Sequence, residues 1–198
     1  MRILAFSDLH RDLDQAARLT GMSADADVVI AAGDFASIHE GLGETIDALS
    51  GITTPTVLVP GNNERLDDLR EAAAGWSAAT VLHGGSAEIE GQLFFGLGAG
   101  IPTTPWSWSY DLDEDGAAEA LSGLTGEAVL VLHSPPKNHC DLTGSDLHLG
   151  STAIASAIER AQPELAVCGH IHESWGERSK IGGTEIANLG PKGVYFDI

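Results

Sequence analysis

The chain has 198 residues, 43% of them apolar, with 29 acidic residues against 10 basic ones and a formal charge of −19. This composition describes one folded domain with a sizeable core and excludes a disordered chain. The charge disfavours nucleic acid and anionic membranes as partners, and with only two cysteines, Cys140 and Cys168, no disulfide framework is implied.

The N-terminus reads Met1-Arg2-Ile3-Leu4-Ala5-Phe6-Ser7-Asp8, where charge arrives too early for a signal peptide or a membrane span. A cytoplasmic location is therefore expected. Ile3–Phe6 reads as a buried first strand and runs into Ser7-Asp8-Leu9-His10. A helix follows from Asp12 to Gly21, with Leu13, Ala16 and Ala17 on one face. Val28–Ala32 is a second strand ending in Gly33-Asp34, and residues 41–50 read as helical. Val57–Val59 is a third strand, broken by Pro60-Gly61 before Asn62-Asn63-Glu64. Residues 65–74 form a helix that buries Leu66 and Leu69.

The pattern then changes. Residues 79–82, 86–89 and 93–97 are short runs parted by Gly84-Gly85 and Glu90-Gly91, which predicts an antiparallel meander. Trp106, Trp108 and Tyr110 fall at period two and would share one strand face. They suit either a stacking surface for a base or aryl group, or a core or subunit contact, so an oligomer is compatible with the sequence. Residues 113–124 form a helix with an acidic first turn. Ala128–Leu132 is a strand running into His133. The 17 residues 134–150 exceed ordinary connections of about 2–6 residues and suggest a functional loop. Ser151 caps a helix reaching Ala161, and Leu165–Val167 leads to Cys168-Gly169-His170-Ile171-His172. Runs at 185–187 and 194–198 close the chain. Strand–helix alternation implies parallel strands, so two packed mixed sheets with helices outside are expected.

Five apolar runs therefore end in polar groups: Asp8 with His10, Asp34, Asn62, His133, and His170 with His172. Open α/β sheets gather ligands at the carboxyl ends of their strands. Two carboxylates, one amide and four imidazoles meeting in one crevice would be costly unless paired. One metal ion would use about four of them, and two ions would use all seven if a carboxylate bridges. The mixed oxygen and nitrogen donors favour Mn, Fe, Zn or Ni over Mg or Ca.

The blocks Asp8-x-His10, Gly33-Asp34, Gly61-Asn62-x-Glu64, His133 and Gly169-His170-x-His172 stand in an order that is similar to the calcineurin-like metallophosphoesterase superfamily. The resemblance spans residues 8–172. It implies an α/β (α+β) fold, a four-layer αββα sandwich of two mixed sheets flanked by helices, expected here as one domain over residues 1–198. It also implies two divalent ions. Asp8, His10 and His172 would bind the first, Asp34 would bridge, and Asn62 through its carbonyl oxygen, His133 and His170 would bind the second. A hydroxide bridging the ions would attack a small phosphoester in line, with Asp34, Asn63 and His133 as the catalytic residues.

One position departs from the pattern. Many family phosphatases carry a histidine where Asn63 stands, and an amide cannot protonate a leaving group near neutral pH. In this the chain resembles the small phosphodiesterase-like branch, so diesters are expected ahead of monoesters. The alternatives are a phosphomonoesterase acting on a small molecule or protein, and a non-catalytic metal-binding scaffold. Asn63, Arg11 and Trp175 are the candidate substrate contacts, Arg11 being equally at home as a surface arginine. His139 and His148 could reach the substrate or stay solvated in the loop, while His39 and His83 read as structural or surface residues.

Three lysines and many scattered carboxylates suit a salt-adapted cell, and equally an ordinary acidic cytosolic protein. On the salt reading, thermal melting shifts upward between dilute buffer and molar KCl, where the Debye length falls to about 3 Å. A melting temperature that does not rise removes that reading.

Overall fold

A computed structural model describes residues 1–198. The strands are β1 (Arg2–Phe6), β2 (Val28–Ala31), β3 (Thr56–Leu58), β4 (Ala79–Val81), β5 (Gly85–Ile89), β6 (Gln92–Leu97), β7 (Ala128–Leu132), β8 (Leu165–Cys168), β9 (Arg178–Ile181), β10 (Thr184–Asn188) and β11 (Val194–Asp197). The α-helices are α1 (Leu13–Met22), α2 (Leu42–Leu49), α3 (Leu66–Ala73), α4 (Glu114–Ala120) and α5 (Thr152–Ala161). They form a five-stranded sheet, β11-β1-β2-β3-β4, and a six-stranded sheet, β5-β6-β7-β8-β10-β9. Both are mixed. The result is the αββα sandwich expected from the sequence.

Alternation along each strand explains the layering. On β1, Ile3 and Ala5 face the second sheet while Leu4 and Phe6 face helices. On β7, Val129 and Val131 face inward, and Leu130 and Leu132 pack under α4 and α5. The central layer joins Ile3, Ile30 and Val57 to Phe94, Val131 and Val167. An outer layer packs Leu19, Ile46 and Leu69 of α1–α3 on the first sheet. Helix starts follow local chemistry: Asp12 accepts from the N–H of Gln15, and Ser151 accepts from that of Ile154. No helix is long and apolar enough to cross a membrane.

Three expectations are corrected. The meander splits, because α3 carries the chain back so that β4 lies parallel to β3 at the edge of the first sheet. Of the three expected meander strands, only β5 and β6 pair antiparallel, through a two-residue turn at Glu90 and Gly91, both with positive φ. The helix expected over 113–124 stops at Ala120, where Leu121 leaves helical geometry ahead of Ser122-Gly123. The Trp106–Tyr110 stretch lies outside the strands. Strand β9 carries Arg178 and Lys180 at a sheet edge, and its polar pattern hid it from a hydrophobic reading.

Phe94 is fully buried in the layer between the sheets. Phe94→Ala is expected to cost about 3–5 kcal/mol, measured by urea unfolding.

Candidate metal centre

The polar groups following β1, β2, β3, β7 and β8 converge at one edge of the sandwich. Two sets of side chains each bring three ligand atoms within 4.8 Å of one another: Asp8, His10 and His172, and Asp34, His133 and His170. Asp34 touches both. One oxygen lies 3.6 Å from Nε2 of His10, and the other lies 3.5 Å from Nε2 of His133. Across the first set, His10 Nε2 stands 3.1 Å from His172 Nε2, and His172 Nε2 is 3.7 Å from Asp8 Oδ1.

Neighbouring groups aim these side chains. His133 Nδ1 bonds the carbonyl of Ala32 at 2.9 Å, and His10 Nδ1 bonds that of Ala36 at 3.2 Å. Each Nε2 is thereby turned inward, as in histidines that ligate metals. Asp8 accepts the N–H of His170 at 3.1 Å and the indole N–H of Trp175 at 3.2 Å. Asn62 Oδ1 lies 3.3 Å from His133 Nε2. Its amide N–H bonds Ser109 Oγ at 2.9 Å, and that hydroxyl donates to Asp111 at 2.6 Å. Asp111 also accepts the N–H and hydroxyl of Thr104. This relay fixes which end of the Asn62 amide faces the site.

Two close approaches require glycine. A Cβ on Gly61 would sit 2.0 Å from Asp34 Oδ1, and one on Gly169 would sit 2.4 Å from Asp8 Oδ2.

The charges are strongly coupled. Burial alone would raise Asp34, but the adjoining His133 charge holds its carboxyl well below the usual range. Burial likewise opposes a charged His133, yet Asp34 and its hydrogen bond push the ring up to about 9. The two groups meet 3.5 Å apart and both are buried. His170 is driven down to about 4 by burial and by the charge of His133. Buried carboxylate oxygens and imidazole nitrogens gathered at common points, two of the rings held by carbonyls on their far sides, suit divalent ions of borderline softness.

Other expected residues lie elsewhere. Arg11 pairs with Glu40 at 3.5 Å and takes no part in lining the cavity beside the two triads. Trp175 sits behind His172, ring centroids 4.3 Å apart, and it too is absent from that lining. Asn63 lines the cavity, but both ends of its amide are engaged: Nδ2 donates to Asp34 at 2.8 Å, and Oδ1 accepts the N–H of Ile38 at 2.8 Å. His139 bonds Ser179 and His148 bonds the buried Asp141, so neither loop histidine enters the cavity. His39 is exposed and bonds the carbonyl of Trp108, and half-buried His83 accepts the N–H of Gly98.

Sequence reasoning gave no role to Glu64, Ser109 or Asp111. Glu64 is buried and accepts three backbone N–H groups: Gly61 at 2.6 Å, Asp34 at 2.8 Å and Ala36 at 3.0 Å. Burial and the Asp34 charge raise it to about 7. Its place in Gly61-Asn62-x-Glu64 was the available signal, whereas Ser109 and Asp111 had none.

Fold and site together define a metal-dependent phosphoester hydrolase. The chain belongs to the calcineurin-like phosphoesterase superfamily, whose domain model matches residues 1–196. Among curated relatives, UPF0046 protein K07C11.7 of Caenorhabditis elegans is 26% identical over 214 aligned positions, covering 95% of this chain and 69% of that protein. UPF0046 protein T07D4.2 of the same organism is 26% identical over 119 positions, covering 56% of this chain, and the match spans only 30% of that protein's length. The fold is similar to TT1561 of Thermus thermophilus, with a TM-score of 0.74, 17% identity and coverage of 96% of this chain and 90% of that one. A novel archaeal phosphodiesterase shares it at a TM-score of 0.55 and 16% identity, over 96% of this chain and 84% of that one.

An ion entering the Asp34 triad must displace the proton that His133 holds up to about pH 9. Mn2+ affinity of the metal-free protein is therefore expected to rise about tenfold per pH unit from 7 towards 9, then level off. Calorimetric titration across that range checks this.

Proposed function

We propose that the protein is a phosphodiesterase acting on small phosphoesters. Asp8, His10 and His172 would hold one divalent ion, Asn62, His133 and His170 would hold a second, and Asp34 would be shared. The observation that carries this reading is that the two oxygens of Asp34 reach one to each triad. The donor set fits Mn, Fe, Zn or Ni. Ions of this kind, when bound, would supply Lewis acidity and lower the pKa of water at the site.

The chain's own residues do the rest. Asp8 and Asp34 offset two of the positive charges that a pair of divalent ions brings. The centre stays attractive to an anion within a protein of formal charge −19. Asn63 holds Asp34 and has no free end to offer a leaving group. No histidine outside the proposed ligands lines the cavity, nor does any lysine or arginine. No imidazole outside the proposed ligands and no cationic side chain is thus positioned to protonate the leaving group, which favours diesters and good leaving groups over alkyl monoesters.

Asn63→His is expected to raise turnover of alkyl monoesters at least severalfold, on the order of the contribution of a positioned general acid, without raising diester turnover. Steady-state rates on serine phosphate and bis(4-nitrophenyl) phosphate provide the check. Faster cleavage of serine phosphate than of the aryl diester by the native protein overturns the diester reading. Bound metal without turnover on a broad ester panel favours a scaffold.

A further inference from the structure

The cavity beside the triads has a volume of about 720 Å³, the size of a small-molecule site. Its lining is of two kinds. One is the cluster of His10, Asp34, Asn62, His170 and His172, and the other comprises Pro102, Pro105, Trp106 and Trp108. The two indoles stack on each other, centroids 5.5 Å apart and planes within 10°. Trp106 remains 51% exposed, a large aromatic face left in water beside the site.

This wall is braced at its base. His39 Nε2 bonds the carbonyl of Trp108 at 2.6 Å, and the backbone N–H of His39 donates to the carbonyl of Asn63 at 2.9 Å. Two residues past Trp108, the N–H of Tyr110 donates to the carbonyl of Asn62 at 2.9 Å. A rigid aromatic surface loses little conformational freedom when a ligand covers it. Besides the imidazoles, the charged groups lining the cavity are Asp34 and Glu173. A second phosphate or a carboxylate on the substrate would meet Glu173 and find no cation.

We propose that the Trp106–Trp108 wall is a subsite for a planar aromatic group without negative charge, either an aryl ring esterified to the phosphorus or a nucleobase carried on the esterified sugar. The proposal rests on the phosphodiesterase reading and narrows it to substrates whose only negative charge is on the reacting phosphate. Flatness is selected by the stacked indoles, and further negative charge is disfavoured by Glu173 and the lack of lysine or arginine in the lining.

The test compares the native protein with the W106A/W108A variant. The KM for bis(4-nitrophenyl) phosphate is expected to rise about tenfold, in the range of aromatic stacking, while the Ki of inorganic phosphate, which needs only the metal end, stays within about twofold. An unchanged KM overturns the subsite. KM and Ki rising together also overturns it, since the loop would then act only through Asn62. A native dimer that the variant dissolves, seen by sedimentation, would make the wall a subunit contact instead. Equilibrium dialysis against the metal-free protein separates this idea from the one beneath it. Saturable binding of 4-nitrobenzyl alcohol or thymidine, lost in the variant, sustains the subsite even if no phosphoester is turned over. Absence of such binding by both overturns it. The stronger of the two ligands distinguishes an aryl group from a nucleobase.

Discussion

Four residues at the site hold backbone that side chains ordinarily avoid. Asp8 has φ of +55°, His10 +44°, Asp34 +58° and His170 +69°. Left-handed geometry costs roughly 1–2 kcal/mol for a residue with a Cβ, and it persists only where surroundings dictate it. The N–H groups of Asp8 and His10 donate to the carbonyls of Gly33 and Asp34, while those of Asp34 and His170 are held by carboxylates. Glu64 grips three main-chain N–H groups, including that of Asp34. Asp8 grips that of His170, so the turn after β1 is bound to the turn after β8. Without these bonds the strands could still pack, but their last residues would not point at common centres.

The sandwich explains why such turns can be sustained. Layers of alternating side chains fix the sheets face to face, and the chain ends of β1, β2, β3, β7 and β8 inherit that rigidity. Pairs such as Asp34 with His133 are then buried and paired rather than buried and alone. The acidic exterior is a separate property, carried by surface residues that leave the layering untouched.

Much of this was legible from sequence because an apolar run followed by a ligand-type residue marks a strand end, and Phe6, Ala31, Leu58, Leu132 and Cys168 all obey that pattern. The strand–helix alternation likewise foretold parallel pairing. What escaped was either chemistry across distance or order without periodicity. The bond from Asn62 to Ser109 spans 47 positions, and that from Asp34 to Glu64 spans 30. Strand β4 reads like its neighbours β5 and β6, and only the crossover through α3 assigns it to the other sheet. Trp106 and Trp108 share a face through a loop fold that mimics strand spacing. Arg11 follows His10 directly, yet the left-handed backbone at both residues swings it towards Glu40.

The contact between His10 and His172 closes 162 positions of chain. A growing polypeptide therefore lacks both triads until β8 and the turn beyond it have cleared the ribosome, because His170 and His172 belong one to each. Any ion held by both triads would therefore load late in biogenesis, and early-terminated products from the same message would lack the residues to hold one at this centre.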